Sequence, residues 1–209
     1  MYCAPFVINL MIPKKHNRQP IRLKGYDYSN KGRYFITVVT KDRLQLFGKI
    51  ESGKMMLNAF GEIARKEWLK TIEMRTNISL GEYIIMPDHI HLVFHIEEKI
   101  GQPDFSQDEL ERISGAVQGT HKIKLHSVST VIRGYKAAVT NQIKQFIYSF
   151  DNRNIDALIP EPDHQILGSI DLSKSIWVRG YHDIIIPNDR AYDNISKYVK
   201  DNPRKWDKK

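Results

Sequence analysis

Apolar positions along the chain alternate between a period of two and a period near 3.6, and the switches divide it into seven predicted elements. "RYFITVVTKDR" (33–43) is rich in β-branched and aromatic residues and predicts a strand. "SGKMMLNAFGEIARKEWLKTIEMR" (52–75) sets Leu57, Phe60, Ile63, Ala64, Trp68 and Ile72 at helical spacing, with Ser52 and Gly53 at its start. "ISLGEYIIMPD" (78–88) predicts a strand, and Pro87, with no amide to donate, belongs at its end or in a turn. "HIHLVFHIEE" (89–98) returns antiparallel to it. Residues 99–128 lose periodicity, apart from a short helix at 107–113. A second amphipathic helix covers 129–150, with Val131, Ile132, Tyr135, Val139, Ile143, Phe146 and Ile147 on one face. After an irregular stretch at 151–175 come a strand at 175–187 and a final helix at 188–203. Asn188 or Asp189 would cap that helix and Pro203 would stop it.

The order β-α-β-β-α-β-α predicts an α+β, ferredoxin-like (RRM-like) antiparallel sheet with helices packed on one face. With 209 residues and 41% hydrophobic content, the chain can bury one substantial core, or two small ones. The reading is a loose N-terminal extension at 1–20 and a single domain at 21–209, with insertions at about 99–128 and 151–175. Met1 and Met11 both remain open as the start. There is no internal repeat and no low-complexity tract.

Charge narrows the partners. Thirty-two Lys and Arg against 24 Asp and Glu leave +8, which points to an anionic partner, nucleic acid first. A merely basic soluble protein is the bland alternative. The single cysteine, Cys3, excludes a disulfide framework and a thiolate zinc site. "MYCAPFVINLMIP" lacks a charged leader and is too short to span a bilayer, so a cytoplasmic protein is expected.

The strand at 89–98 carries the candidate chemistry. Successive strand residues point to opposite faces, so His89 and His91 share one, with Cα atoms about 6.6 Å apart. Two imidazoles so placed can converge on one ion, whereas His95, roughly 20 Å from His89, cannot join them. Taken alone, an H-x-H pair is a weak signal, and histidine's ordinary structural uses are the commoner reading. "MPDH" adds a chain reversal at the strand mouth, where side chains can be presented to a ligand.

"MPDHIHLVFHI" resembles the signature of the HUH nucleases, two histidines flanking one hydrophobic residue, and within them the single-tyrosine transposases, including the REP-associated group of bacteria. "IRLKGYDYSNKGRYFITVVTKDR" (21–43) is similar to that group's opening, and "IWVRGYHDIIIPNDRAYDNISKYVKDNP" (176–203) to its closing segment. The resemblance covers roughly 21–98 and 129–206. It implies a metal-dependent endonuclease and strand transferase that cleaves and rejoins single-stranded, hairpin-flanked DNA through a 5′-phosphotyrosine, acting on nucleoid-associated DNA. Of ten tyrosines, Tyr198 fits the family's nucleophile, in a Tyr-x-x-x-Asn arrangement with Asn202 as the implied third metal ligand beside His89 and His91. The i, i+4 spacing puts both side chains on one helix face. Tyr192, Tyr181, Tyr135 and Tyr148 fit packing roles better. The implied ion is Mg²⁺ or Mn²⁺, the latter more tolerant of nitrogen ligands.

Expected DNA contacts are Arg179 and Trp177, then Arg133, Lys136 and Lys197, with Lys24, Arg33, Arg43 and Lys200 as further candidates. Val178 and Pro187 depart from the family pattern, which often has Gln and a polar residue there. Family members include dimers and monomers, so a homodimer is admitted. The alternatives are an inactive or domesticated DNA-binding protein of the same fold and, more weakly, a metal-dependent RNA-binding protein. The intact set of His89, His91, Tyr198 and Asn202 favours the enzyme.

Overall fold

A computed structural model describes residues 25–97, 127–150, 171 and 173–208. The N-terminal extension, Lys24, the helix expected at 107–113 and nearly all of both insertions lie outside the described residues. The elements are β1 (Gly32–Val39), β2 (Gly48–Glu51), β3 (Lys54–Leu57), α1 (Ala59–Glu73), β4 (Ile78–Ile85), β5 (His89–Ile96), α2 (Val128–Phe150), β6 (His182–Ile186) and α3 (Asp189–Asp201). A 3₁₀ turn, Pro203–Lys208, follows α3. Four strands form one antiparallel sheet in the order β4-β5-β1-β6, so the α+β fold expected from the element order is present. Among the described residues no helix is long and apolar enough to cross a membrane.

The core sits on one face of the sheet. Tyr34, Ile36 and Val38 of β1 and Ile90, Leu92, Phe94 and Ile96 of β5 pack against Phe60, Ala64 and Trp68 of α1 and Val131, Ile132 and Val139 of α2. Trp68 meets the rings of Phe94 and Tyr135 edge-on at 5.7 and 5.4 Å. The Tyr135 hydroxyl donates to the Ala64 carbonyl at 3.1 Å, tying α2 to α1. Burial pushes the Tyr135 phenol well above its ordinary pKa, as suits a core tyrosine.

The helices do not all lie on one face. Phe35 of β1 and Val93 of β5 point to the other side, where they cluster with Ile186 of β6 under Val199, Tyr192 and Ile195 of α3. β5 is thus sandwiched between helices, which is why seven of its eight residues are buried and Val93 is apolar on the face that carries the histidines.

Three boundaries also differ from the expectation. Residues 52–57 begin no helix: β2 and β3 form a hairpin whose two-residue turn is Ser52 and Gly53, both at positive φ (50° and 71°). The helix starts after Asn58, whose Oδ1 accepts from the Gly61 amide at 2.9 Å. Gly61 is there because a Cβ would stand 2.3 Å from the Phe47 carbonyl. β1 stops at Val39, and residues 41–43 form a tight turn with Asp42 and Arg43 at positive φ. In the 175–187 stretch only 182–186 is strand, and Trp177 makes a single bridge to Thr40. Asn188 caps α3 as expected, accepting from the Ala191 amide at 2.9 Å.

His95 supplies a stability test. Its Nε2 is buried with no hydrogen-bond partner among the described residues, and its ring meets Tyr192 edge-on at 5.4 Å. Burial first, then the Arg33 charge, hold its pKa below the ordinary 6.5, while Glu97 opposes more weakly. Both states are neutral at high pH. As pH falls through 6.5 the unfolded chain takes up the proton first, so stability drops until the lower folded pKa is reached. His95→Phe is expected to lose less stability than the wild type between pH 7.5 and 5.5 in urea unfolding. Equal losses would contradict this.

Candidate active site

Antiparallel pairing sets Val39 opposite His89 and Thr37 opposite His91, on the sheet face that α3 covers. The two imidazoles are 5% and 4% exposed, with ring centres 4.6 Å apart. A buried imidazole needs partners for its polar atoms. His89 Nδ1 lies 2.5 Å from Asp88 Oδ1. A carboxylate only accepts, so Nδ1 is the donor, and in the neutral ring Nε2 then carries the lone pair. His91 Nδ1 lies 2.9 Å from Thr37 Oγ1, and its Nε2 lies 3.4 Å from the Tyr198 hydroxyl. Both rings therefore engage the protein at Nδ1, and Nε2 is the nitrogen each would turn to a bound ion. Asp88 is anchored in turn. Its carbonyl accepts from the Thr40 amide and hydroxyl at 3.0 and 2.8 Å, and Arg43 approaches its carboxylate at 3.4 Å.

Each ring also has a neighbour on its face. His91 lies against Phe35, ring centres 5.1 Å apart. His89 stacks on Trp206 at 5.9 Å and 25°.

Tyr198 is brought to this pair. It is 40% exposed, its ring meets His91 at 5.3 Å and Phe35 at 6.1 Å, and Lys205 Nζ lies 5.8 Å from its ring centre. Asn202 is buried at the C-cap of α3, one turn along from Tyr198. Its carbonyl accepts from Lys205 N at 3.1 Å. Among the described residues no three His, Cys, Asp or Glu side chains form a metal cage. A third protein ligand here would have to be another residue type, such as the Asn202 amide. Two imidazoles with tied Nδ1 atoms and one buried amide oxygen suit a divalent ion that accepts nitrogen and oxygen donors.

The four other tyrosines weighed as nucleophiles lie away from this pair. Tyr192 packs on His95 and under Arg33, Tyr181 shares a hydrogen bond with Ser129 at 3.2 Å, Tyr135 is in the core and Tyr148 is exposed on α2.

The basic residues divide into two groups. Arg33 pairs with Asp189, and Lys200 with Glu82 at 2.8 Å. Lys136 donates to the carbonyls of Val178 and Gly180 at 2.9 and 3.0 Å and lies over the Trp177 ring, and burial lowers its pKa. Trp177 is 5% exposed, packs on Phe47 at 5.6 Å and donates its indole N–H to Thr140 Oγ1 at 3.1 Å and to the Lys136 carbonyl at 3.2 Å. It is a core residue, with no open face on which a base could stack. Arg133, Arg179 and Lys197 are exposed, and among the described residues no carboxylate pairs with them. Arg179 is near the histidines through the backbone. The Val178 amide donates to the Val39 carbonyl at 2.9 Å, and Val39 pairs with His89. Two strand spacings, about 10 Å, separate Val178 from His89.

Residues that sequence reasoning passed over are Thr37, Asp88, Lys205 and Trp206. Trp206 had a legible signal: it continues the four-residue spacing of Tyr198 and Asn202.

No protein-family model matches the chain. A Haemophilus influenzae protein described as uncharacterized is 28% identical over 192 residues, which span 92% of this chain and 91% of that one. The solved structure of a REP-associated tyrosine transposase bound to a REP hairpin aligns with a TM-score of 0.50 at 16% identity, covering 86% of this chain and 71% of that one. At that identity the likeness is one of fold: this chain has the antiparallel α+β architecture of that transposase.

The Lys136 clamp is testable. Lys136→Met removes both hydrogen bonds to the 178–180 backbone but keeps the stem over Trp177. Limited trypsinolysis after Arg179 should become several-fold faster in the folded protein, an order-of-magnitude expectation for losing two such bonds. An unchanged cleavage rate would show that the loop is held by something else.

Proposed function

We propose that this chain is a transposase-type endonuclease and strand transferase acting on single-stranded, hairpin-flanked DNA. The observation that carries the reading is the Tyr198 hydroxyl, 3.4 Å from His91 Nε2 on a ring whose other nitrogen is held by Thr37. The fold shared with a transposase solved on a DNA hairpin supports it, as does the +8 charge. In this reading His89, His91 and Asn202 hold Mg²⁺ or Mn²⁺, which when bound would offset the charge of a non-bridging phosphate oxygen and orient the phosphorus.

The residues then have separate tasks. Tyr198 Oη attacks the phosphorus and loses its proton to solvent. The P–O3′ bond breaks as the O–P bond to tyrosine forms, and the departing 3′ oxygen takes up a proton. The products are a 5′-phosphotyrosine and a 3′-hydroxyl. One phosphodiester replaces another, so the step is reversible and rejoining needs no ATP. Lys205, over the Tyr198 ring, places a cation next to the attacked phosphate. Arg179, Arg133 and Lys197 contact the DNA backbone, and Lys136 serves from behind by holding the Arg179 loop.

A labelled hairpin-flanked oligonucleotide with Mn²⁺ should give a covalent protein–DNA adduct on a denaturing gel, with peptide mapping to Tyr198. Tyr198→Phe should abolish the adduct while DNA and metal binding persist. Asn202→Ala should weaken Mn²⁺ binding by about 10–100-fold and slow, not abolish, cleavage. An adduct that persists in Tyr198→Phe moves the nucleophile. DNA binding with no adduct under any metal leaves a non-cleaving DNA-binding protein of the same fold.

A further inference from the structure

The two imidazoles are held by the same pair of devices, one in the ring plane and one on the ring face. For His91 these are Thr37 at Nδ1 and Phe35 on the face. For His89 they are Asp88 at Nδ1 and Trp206 on the face. Phe35 belongs to the sheet, but Trp206 comes from the 3₁₀ turn beyond α3. We infer that Trp206 is a positioning residue for the divalent-ion site, fixing the tilt of His89. The inference rests on the metal reading proposed above.

The physical need is specific. A hydrogen bond to Nδ1 fixes the direction of that nitrogen but leaves the ring able to rock about the bond axis. Rocking would swing Nε2, on the far side of the ring, away from the ion. An indole plane within 25° of the imidazole plane opposes that motion. It also excludes water from one ring face, which strengthens the field around a bound cation.

The turn itself is braced. Lys205 N donates to the Asn202 carbonyl at 3.1 Å, and Pro203 is buried. Arg204 lies along the β2–β3 turn, so a Cβ on Gly53 would be 3.6 Å from Arg204 Cγ. The hairpin absent from the sequence reading thus supports the segment that carries Trp206.

The test is calorimetric titration of the full-length chain with Mn²⁺, with melting temperatures recorded for every variant. Trp206→Ala should weaken Mn²⁺ binding about 10-fold, the low end for disturbing a ligand's support. Trp206→Phe, which keeps a stacking ring, should restore most of that loss. Indole emission gives a second readout. Trp68 and Trp177 are buried in the core, so a saturable emission change on Mn²⁺ addition should come from Trp206 and vanish in Trp206→Phe. If Trp206→Ala folds and binds Mn²⁺ as the wild type does, the inference is overturned while the histidine site stands. If Trp206→Ala does not fold, the Phe variant decides: an emission response that survives in it overturns the inference. A wild type that binds no Mn²⁺ overturns the metal reading, and this inference with it.

Discussion

The antiparallel pairing of β5 with β1 is the constraint on which the rest of the molecule depends. The side-chain period of a strand is two, so this one register decides what each face receives. It sends Ile90, Leu92, Phe94 and Ile96 into the core with α1 and α2, and His89, His91 and Val93 toward α3. Burying each large apolar side chain contributes about 1.5–3 kcal/mol. Leaving a buried polar group unpaired costs about 1–3 kcal/mol. Four apolar residues against two histidines settle the register, and the histidines follow. Asp88 and Thr37 remove most of their cost by occupying Nδ1 of each ring. A slip of one residue would exchange the two sets and destroy core and site together.

The second face has to be closed, and α3 closes it. Val199 and Ile195 pack on Phe35, Val93 and Ile186. The exposed Arg33–Asp189 pair at its start adds little, since surface ion pairs contribute about 0–1 kcal/mol. Once the apolar stripe is seated, Tyr198 is delivered to His91 and the chain beyond Asn202 brings Trp206 to His89. The same contacts that complete the fold assemble the candidate site. A hydroxyl 3.4 Å from an imidazole nitrogen is also close enough to report on anything bound there.

Much of this was legible in the sequence, and the part that was not has identifiable causes. The strand parity of His89 and His91 and the one-turn spacing of Tyr198 and Asn202 are local rules, and the structure brings Tyr198 to the His89–His91 pair and buries Asn202 one turn along. The β2–β3 hairpin was missed because Met55, Met56 and Leu57 extend the apolar pattern of α1 backwards, while the signal that breaks it is the Ser52–Gly53 turn. The expectation of helices on one face failed because the histidines at 89, 91 and 95 mark that face of β5 as polar, while only Val93 and Phe35 hint that it is covered. Trp177 and Lys136 read as DNA contacts because an aromatic beside cations is ambiguous in sequence. Only packing shows that Trp177 is in the core and Lys136 on two backbone carbonyls. Trp206 continues the four-residue spacing of Tyr198 and Asn202, but what it meets depends on where the strand mouth lies.

The central claim is that His89 and His91 jointly hold a divalent ion beside Tyr198. Pulsed electron paramagnetic resonance of Mn²⁺ bound to the full-length chain tests it most directly, using ¹⁵N-histidine labelling. The account predicts two directly coordinated imidazole nitrogens in the wild type, one in either single His89→Ala or His91→Ala variant, and an unaltered signal in Tyr198→Phe. A bound Mn²⁺ ringed by water alone, or nitrogen couplings that survive loss of both histidines, would contradict it.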